Sequence, residues 1–274
     1  MTYKPITLPE LLDRLEAHFG KQVPYWPTEP YEFLVWWHCG YPQSDECCAR
    51  GWAALSSQVG IVPEVLLRAK PATLITALKD GGMVPELRAE RLKQIAMRVQ
   101  DGFGGDLRSA LTRPQGLKPK PSKAIYGTTR SRALLQDNAA MTASNSVKEA
   151  RKILKSFPSV ADPGADRILL FARIAPIAAV PSNTVHVAVR VLHGRERENY
   201  GQNYKQAQQA IEETVPAKFD ARQRAYLLLK RHGQELCKRT NPKCEACPVR
   251  GNCAYCAGNL RGRSVAARVP GSRR

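Results

Sequence analysis

Four cysteines close together carry the strongest chemical signal in the chain. They fall as Cys237-x6-Cys244-x2-Cys247-x5-Cys253. Thiols so near in sequence can converge on one small inorganic centre, and the thiolate is the form that binds metal. Lys238, Lys243 and Arg250 lie among them and favour the ionised sulfur. Four thiolates suit either a structural zinc ion or a [4Fe–4S] cluster. Zinc ribbons usually pair two C-x2-C knuckles, whereas this set contains one. Cys256 stands just outside the pattern, and Cys39, Cys47 and Cys48 read as small core residues rather than ligands.

Two weaker constellations follow. Trp36, Trp37, His38 and Tyr41 cluster in a chain that is only 7% aromatic. Such a group either packs a core or walls a pocket for a planar ligand. Ser182 and Asn183 stand at the start of a helical pattern, where each could cap the helix or present a polar group to a ligand.

The partner class comes from charge. Lys and Arg number 42 against 24 Asp and Glu, a net charge of +18. Such an excess favours polyanions, because each neutralised phosphate releases counterions. On charge alone an RNA-binding or ribosome-associated protein looks the same. Between Arg222 and Arg274 basic residues face only Glu235 and Glu245, and between Phe103 and Lys148 only Asp106 and Asp137. These two stretches are candidate phosphate-tracking surfaces. No apolar run approaches the roughly 20 residues of a membrane span. The start, Met1-Thr2-Tyr3-Lys4-Pro5, lacks an apolar signal core. A prokaryotic cytoplasmic, nucleoid-associated location is therefore expected.

The elements that must position these residues read as nearly all helix. Thr7-Leu8-Pro9-Glu10 has a capping-box arrangement opening a helix that should stop near Gly20. Helical patterns follow at Tyr31–Cys39, Asp45–Val59, Pro63–Ala69, Ala72–Lys79 and Pro85–Val99, separated by Gly, Pro or Ser. The pattern breaks between Gly102 and about Ser146, where Arg113-Pro114-Gln115-Gly116-Leu117-Lys118-Pro119-Lys120-Pro121 reads as a linker with one short helix near Ser131–Gln136. Helices resume at Val147–Phe157, Pro163–Ala175, Thr184–His193, Tyr204–Thr214 and Ala221–Cys237.

The cysteine spacing resembles the cluster loop of endonuclease III-type helix–hairpin–helix (HhH-GPD) DNA glycosylases, position for position. The approach to it, from Leu227 through His232-Gly233 to Cys237, and the segment Thr214–Phe219 are similar to that family as well. The resemblance implies a structural [4Fe–4S] cluster on Cys237, Cys244, Cys247 and Cys253. It also implies a loop meeting the DNA backbone through Lys238, Arg239, Lys243 and Arg250.

The run Phe157-Pro158-Ser159-Val160-Ala161-Asp162-Pro163-Gly164-Ala165 aligns without gaps to the family's L-P-G-V-G-x-K-x-A hairpin. In the family, amides of this turn face one DNA phosphate, which casts Ser159, Val160 and Ala161 in that role. Ser159 and Ala161 replace both motif glycines, and Asp162 with Pro163 is suited to start the second helix as N-cap and first residue. Pro163 stands where bifunctional members carry the lysine that attacks the sugar. Proline cannot form that Schiff base, so the resemblance implies a monofunctional enzyme.

The family's V-D-T-H resembles Val180-Pro181-Ser182-Asn183-Thr184-Val185-His186. Asn183 then stands at the catalytic aspartate, with Ser182 as the competing candidate. A neutral amide does not offset an oxocarbenium charge but can hold a water. Asp162, Asp166 and Asp45 are possible substitute carboxylates. The family's S-A-Q-A-T-D meets Gly40-Tyr41-Pro42-Gln43-Ser44-Asp45, so Pro42 replaces the wedging glutamine. Tyr41 or Gln43 then fills the gap of the flipped base, with Trp37 and His38 as pocket walls.

The resemblance covers about residues 26–101 and 147–253 and implies an all-α fold of two domains. Residues 26–174 would form a six-helix barrel with the hairpin near 150–170 and an inserted linker near 103–146. Residues 1–25 with 175–256 would form the iron–sulfur domain, leaving 257–274 as a basic tail. The implied partner is double-stranded DNA, met by a monomer. The implied function is a base-excision repair glycosylase that hydrolyses the N-glycosidic bond of a damaged or mismatched base. Two other readings compete: a non-catalytic DNA-binding or lesion-sensing protein with the same fold, and a cluster-bearing redox or RNA-binding module.

Overall fold

The computed structural model describes residues 4–112 and 146–258. These residues are helical, with no strand among them. The linker helix expected near Ser131–Gln136 and the basic tail beyond residue 258 lie outside the described residues.

Helix α1 (Leu8–Phe19) begins as the capping box requires. Glu10 N–H donates to Thr7 Oγ1 at 3.4 Å, and Thr7 N–H donates to the Glu10 carboxylate at 2.9 Å. Gly20, at φ 72°, ends it. Its stripe of Leu8, Leu11, Leu12 and Leu15 is buried.

Next come α2 (Pro30–His38), α3 (Asp45–Gln58), α4 (Pro63–Arg68), α5 (Pro71–Leu78) and α6 (Pro85–Phe103). Proline opens α2, α4, α5 and α6, where its missing N–H has no intrahelical partner to lose. The break expected from Gly102 comes later. Helix α6 runs to Phe103, and α7 (Leu107–Thr112) follows, burying Leu107 and Leu111. Arg108 holds α7 in place, donating to Glu29 at 2.7 Å and to the Ala172 carbonyl at 3.0 Å. Helix α8 occupies 146–155, and α9 (Asp162–Phe171) completes this series. The N-cap of α9 is Ala161, not Asp162. Asp162 enters the first turn instead, where its charge suits the helix dipole.

Then follow α10 (His186–His193), α11 (Tyr200–Thr214), α12 (Phe219–Glu235) and a last helix, α13, from 254 to 258. The chain falls into two compact units. One joins the segment up to Pro24 to the segment from Pro176. The other is Tyr25–Ala175. In the first, the leucine stripe of α1 packs with Val187, Val189 and Val191 of α10, Ile211 of α11 and Leu228 of α12. In the second, Val35, Leu55, Leu66, Leu74, Leu78 and Leu92 form a core shared by α2 to α6. Each unit therefore buries its own apolar centre.

Candidate nucleic-acid interface and active site

Between α8 and α9 the chain makes a tight hairpin. Ser159 sits at its apex with φ 57°, the left-handed region where an L side chain is strained and glycine is not. Ala161, the other glycine substitute, has φ −105° and ψ −177°, an extended conformation open to any residue. The amides of Ser159 and Ala161 make no hydrogen bond among the described residues, whereas the Val160 amide donates to Phe157 O at 3.4 Å. Val160 is buried, and Ser159 and Ala161 are exposed. The turn thus offers two amides outward and one apolar side chain inward.

The flank of the hairpin is basic, a feature not foreseen from the sequence. Lys148, Arg151, Lys152, Lys155, Ser156 and Asp162 line a shallow open cleft. Arg151 is occupied by Asp166 at 2.6 Å and Lys155 by Asp162 at 2.7 Å. Lys148 and Lys152 project into solvent, Lys152 with its ammonium 3.9 Å from Glu149. The signal was the helical spacing of 148, 152 and 155, which puts three ammonium groups on one face.

The aromatic cluster lies against the same hairpin. Trp36 is core. Trp37 is half-buried, edge-on to Tyr41 with ring centres 5.1 Å apart, and its indole lies over Gly164 of α9. His38 is buried, Nδ1 2.7 Å from Leu34 O and Nε2 2.9 Å from Pro158 O, and the one N–H of the neutral ring can donate to either carbonyl. The buried ring of His38 bridges α2 and the hairpin turn. Burial holds its imidazole below the ordinary range, against the pull of both carbonyls.

Tyr41 and Gln43 occupy the turn between α2 and α3, half-exposed. Gly82 packs on this turn, so closely that a Cβ there would stand 3.2 Å from Gln43 Cγ. Beside it Met83 is 69% exposed and Val84 55% exposed. Val84 has φ 55°, an outlier for a β-branched residue. Arg88, buried, joins the two turns by donating to Cys39 O and Gly82 O. A strained apolar tip beside Gln43 is a second wedge candidate. Two apolar residues between Gly81-Gly82 and Pro85 were the available signal.

The substitute carboxylates are all engaged. Asp45 meets Arg167 at 3.3 Å and Tyr25 at 3.0 Å, Asp166 meets Arg151, and Asp162 meets Lys155.

In the other unit, Ser182–Thr184 forms a single 3-10 turn ahead of α10. Neither Ser182 nor Asn183 caps it or α10, whose N-cap is Val185. Both are exposed, and the Asn183 amide makes no hydrogen bond among the described residues. The turn is nevertheless rigidly mounted. Thr184 is packed on Gly233 of α12, where a Cβ would come within 2.4 Å, and His186 Nε2 lies 2.6 Å from Cys237 O. The Tyr200 hydroxyl donates to Ser182 O at 3.3 Å.

The His186–Cys237 contact leads to the thiols. Cys237, Cys244 and Cys247 pack against the core that buries Cys253 and Cys256, and none is in a disulfide. Cys237 lies near Cys247 and Cys253, and Cys247 near Cys244 and Cys253. Burial pushes Cys237 up to about 12 and Cys247 up to about 11, so both are protonated thiols at neutral pH. As they stand, no three His, Cys, Asp or Glu side chains among the described residues converge on a metal position. The donor set fits a thiolate-bound centre on its chemistry. Four free, partly buried thiols in one short segment can each give up a proton to a metal centre and bind it as thiolates, and Arg190 stands beside Cys237. Arg190 also shapes the loop, donating to Lys238 O at 2.9 Å and Arg239 O at 3.0 Å. Lys238, Arg239, Lys243 and Arg250 are all exposed. Arg250 pairs with Glu245 at 2.8 Å, and Arg239 lies 4.0 Å from Glu196.

No family model and no curated protein matches the sequence. Solved structures do match the fold. An endonuclease III–DNA complex superposes with a TM-score of 0.63 at 15% identity, covering 93% of this chain and 99% of that one. A thermostable thymine-DNA glycosylase gives 0.63 at 17% identity, covering 92% and 97%. The H. pylori 3-methyladenine DNA glycosylase bound to 1,N6-ethenoadenine gives 0.50 at 14%, covering 84% and 95%. The chain thus has the all-α, two-unit fold of the helix–hairpin–helix DNA glycosylases.

Proposed function

We propose that the chain is a monofunctional DNA glycosylase of base-excision repair. It would hydrolyse the N-glycosidic bond of a damaged or mismatched base in duplex DNA. One observation carries the reading. In a fold shared with DNA glycosylases, an exposed Asn183, unpartnered among the described residues, is held on a turn fixed by Thr184 and His186.

Each part has a physical role. The two outward amides at Ser159 and Ala161 suit one phosphate, and Lys148 and Lys152 suit its neighbours. Gln43 or the Met83–Val84 tip would fill the stack once a base is extruded, with Tyr41 and Trp37 beside the gap. Asn183 would hold the attacking water through its amide oxygen. Pro163 has no amine to offer the sugar, so strand cleavage by that route is absent from the reading.

Cys237, Cys244, Cys247 and Cys253 would hold a [4Fe–4S] cluster. Held there, it would supply a cross-link for the loop that carries Lys238, Arg239, Lys243 and Arg250, the residues that would meet the DNA backbone. The protein acts as a monomer in this reading, on the DNA of a prokaryotic nucleoid.

The test is base release from duplexes carrying alkylated, deaminated, oxidised and mismatched bases. Free bases are identified by mass, and strands are examined with and without alkali. Release with breaks only after alkali is the expected result and names the substrate. Breaks without alkali would point to another amine, with Lys155 beside Asp162 the first candidate. No release despite firm binding would make the protein a non-catalytic DNA reader.

A further inference from the structure

The nest contains a fifth thiol that the four-cysteine spacing leaves over. Cys253-Ala254-Tyr255-Cys256 repeats the C-x2-C step of Cys244 and Cys247, so the chain also reads C-x2-C-x5-C-x2-C. Cys256 is buried with Cys253 in the core against which Cys237, Cys244 and Cys247 pack. Its thiol neighbours those of Cys244 and Cys253. Cys237 thus neighbours Cys247 and Cys253, and Cys256 neighbours Cys244 and Cys253, on the same packed segment.

The same arginine contacts the chain next to both Cys237 and Cys256. Arg190 holds the Lys238 and Arg239 carbonyls, immediately after Cys237. Its guanidinium also lies 4.8 Å from the centre of the Tyr255 ring, one residue before Cys256. At the end of α10, Gly194 has φ 80°, and a Cβ there would stand 3.3 Å from Ala254. The 254–256 segment is thus seated against α10.

We propose that Cys256 is a reserve ligand of this nest, able to take the fourth position at the metal centre in place of Cys237. A four-iron cluster uses four thiolates, and the nest holds five thiols, so one is spare. The spare shares a knuckle spacing with Cys253, and thus differs from Cys39, Cys47 and Cys48, which belong to the other unit. The inference rests on the iron–sulfur reading of the nest proposed above.

The test compares iron and acid-labile sulfide content, visible absorption and electron paramagnetic resonance in anaerobically purified full-length proteins. The expected result is that Cys237→Ser keeps iron and sulfide near wild-type stoichiometry with an altered spectrum, and that the Cys237→Ser/Cys256→Ser double variant loses them. Equal loss in the single and double variants would overturn the proposal while leaving the cluster itself standing. A wild-type protein with neither iron nor sulfide would instead overturn the cluster reading, and this inference with it. Should Cys237→Ser fail to fold, Cys256→Ser decides the matter. Its iron should pass to a ferrous chelator under oxygen severalfold faster than that of the wild type, and an unchanged rate would sink the reserve role.

Discussion

The indole of Trp37 lies so close over Gly164 that a Cβ at that position would stand 2.6 Å from its ring. The contact joins α2 to the first turn of α9 and thereby sets the aromatic cluster against the hairpin. Gly164→Ala should destabilise the protein by about 1–3 kcal/mol, the usual range for forcing one methyl into a packed site. Denaturant midpoints check this. The loss should be smaller in a Trp37→Ala background, where the clash is gone, and a fully additive pair would refute the contact.

Ser159 leads to the opposite expectation. Its φ of 57° burdens the turn with a Cβ in the left-handed region. Ser159→Gly should raise stability by about 1–2 kcal/mol, the strain of one L residue there. DNA affinity should not fall, since the backbone amide is the proposed donor. A drop in affinity would show that the hydroxyl carries the contact.

His38 makes stability depend on pH. Its folded pKa lies below the ordinary 6.5, because burial outweighs the Leu34 and Pro158 carbonyls, and Arg91 adds a further lowering. The unfolded chain therefore binds the proton first as pH falls. Stability from this group is complete above 6.5 and declines below it. Urea midpoints between about pH 7.5 and 5 should fall less steeply in His38→Gln than in the wild type. Parallel slopes would place the imidazole outside this linkage.

The basic row of α8 should act through phosphate alone. Lys148→Ala and Lys152→Ala should each weaken binding alike for lesion and undamaged duplexes. Each should also reduce the slope of log affinity against log salt by about 1, the share of one neutralised phosphate. Weakening confined to lesion DNA would mean that these lysines take part in base recognition.

The sequence and the structure agree best where the signal is local. The Thr7–Glu10 box, the prolines opening α2, α4, α5 and α6, and the stop at Gly20 depend on neighbours in the chain, and they stand where the spacing puts them. His38 and Arg88 depend on contacts far away in sequence. A buried histidine bridging two carbonyls reads in sequence as an aromatic near a turn. The left-handed Val84 has no residue-type signal at all, because β-branched residues avoid that conformation. Asn183 was legible as a polar residue at a helix start. That it caps nothing is a matter of backbone geometry one turn away, where Val185 rather than Asn183 precedes α10.

Asn183 is where the catalytic reading is most exposed. Its side chain is in solvent and makes no hydrogen bond among the described residues, so Asn183→Ala should leave stability within about 0.5 kcal/mol. If its amide oxygen holds the attacking water, base release should fall on the order of 10²-fold or more, as when a positioned catalytic group is removed. Asn183→Asp separates two ways of helping. A carboxylate can both hold the water and offset positive charge on the sugar, so the aspartate variant should release base at least as fast as the wild type. Single-turnover rates on the substrate found by the duplex panel measure both. An alanine variant at full speed would move the chemistry elsewhere. An aspartate variant as slow as alanine would mean that the site needs the amide nitrogen, and that Asn183 reads the base rather than the water.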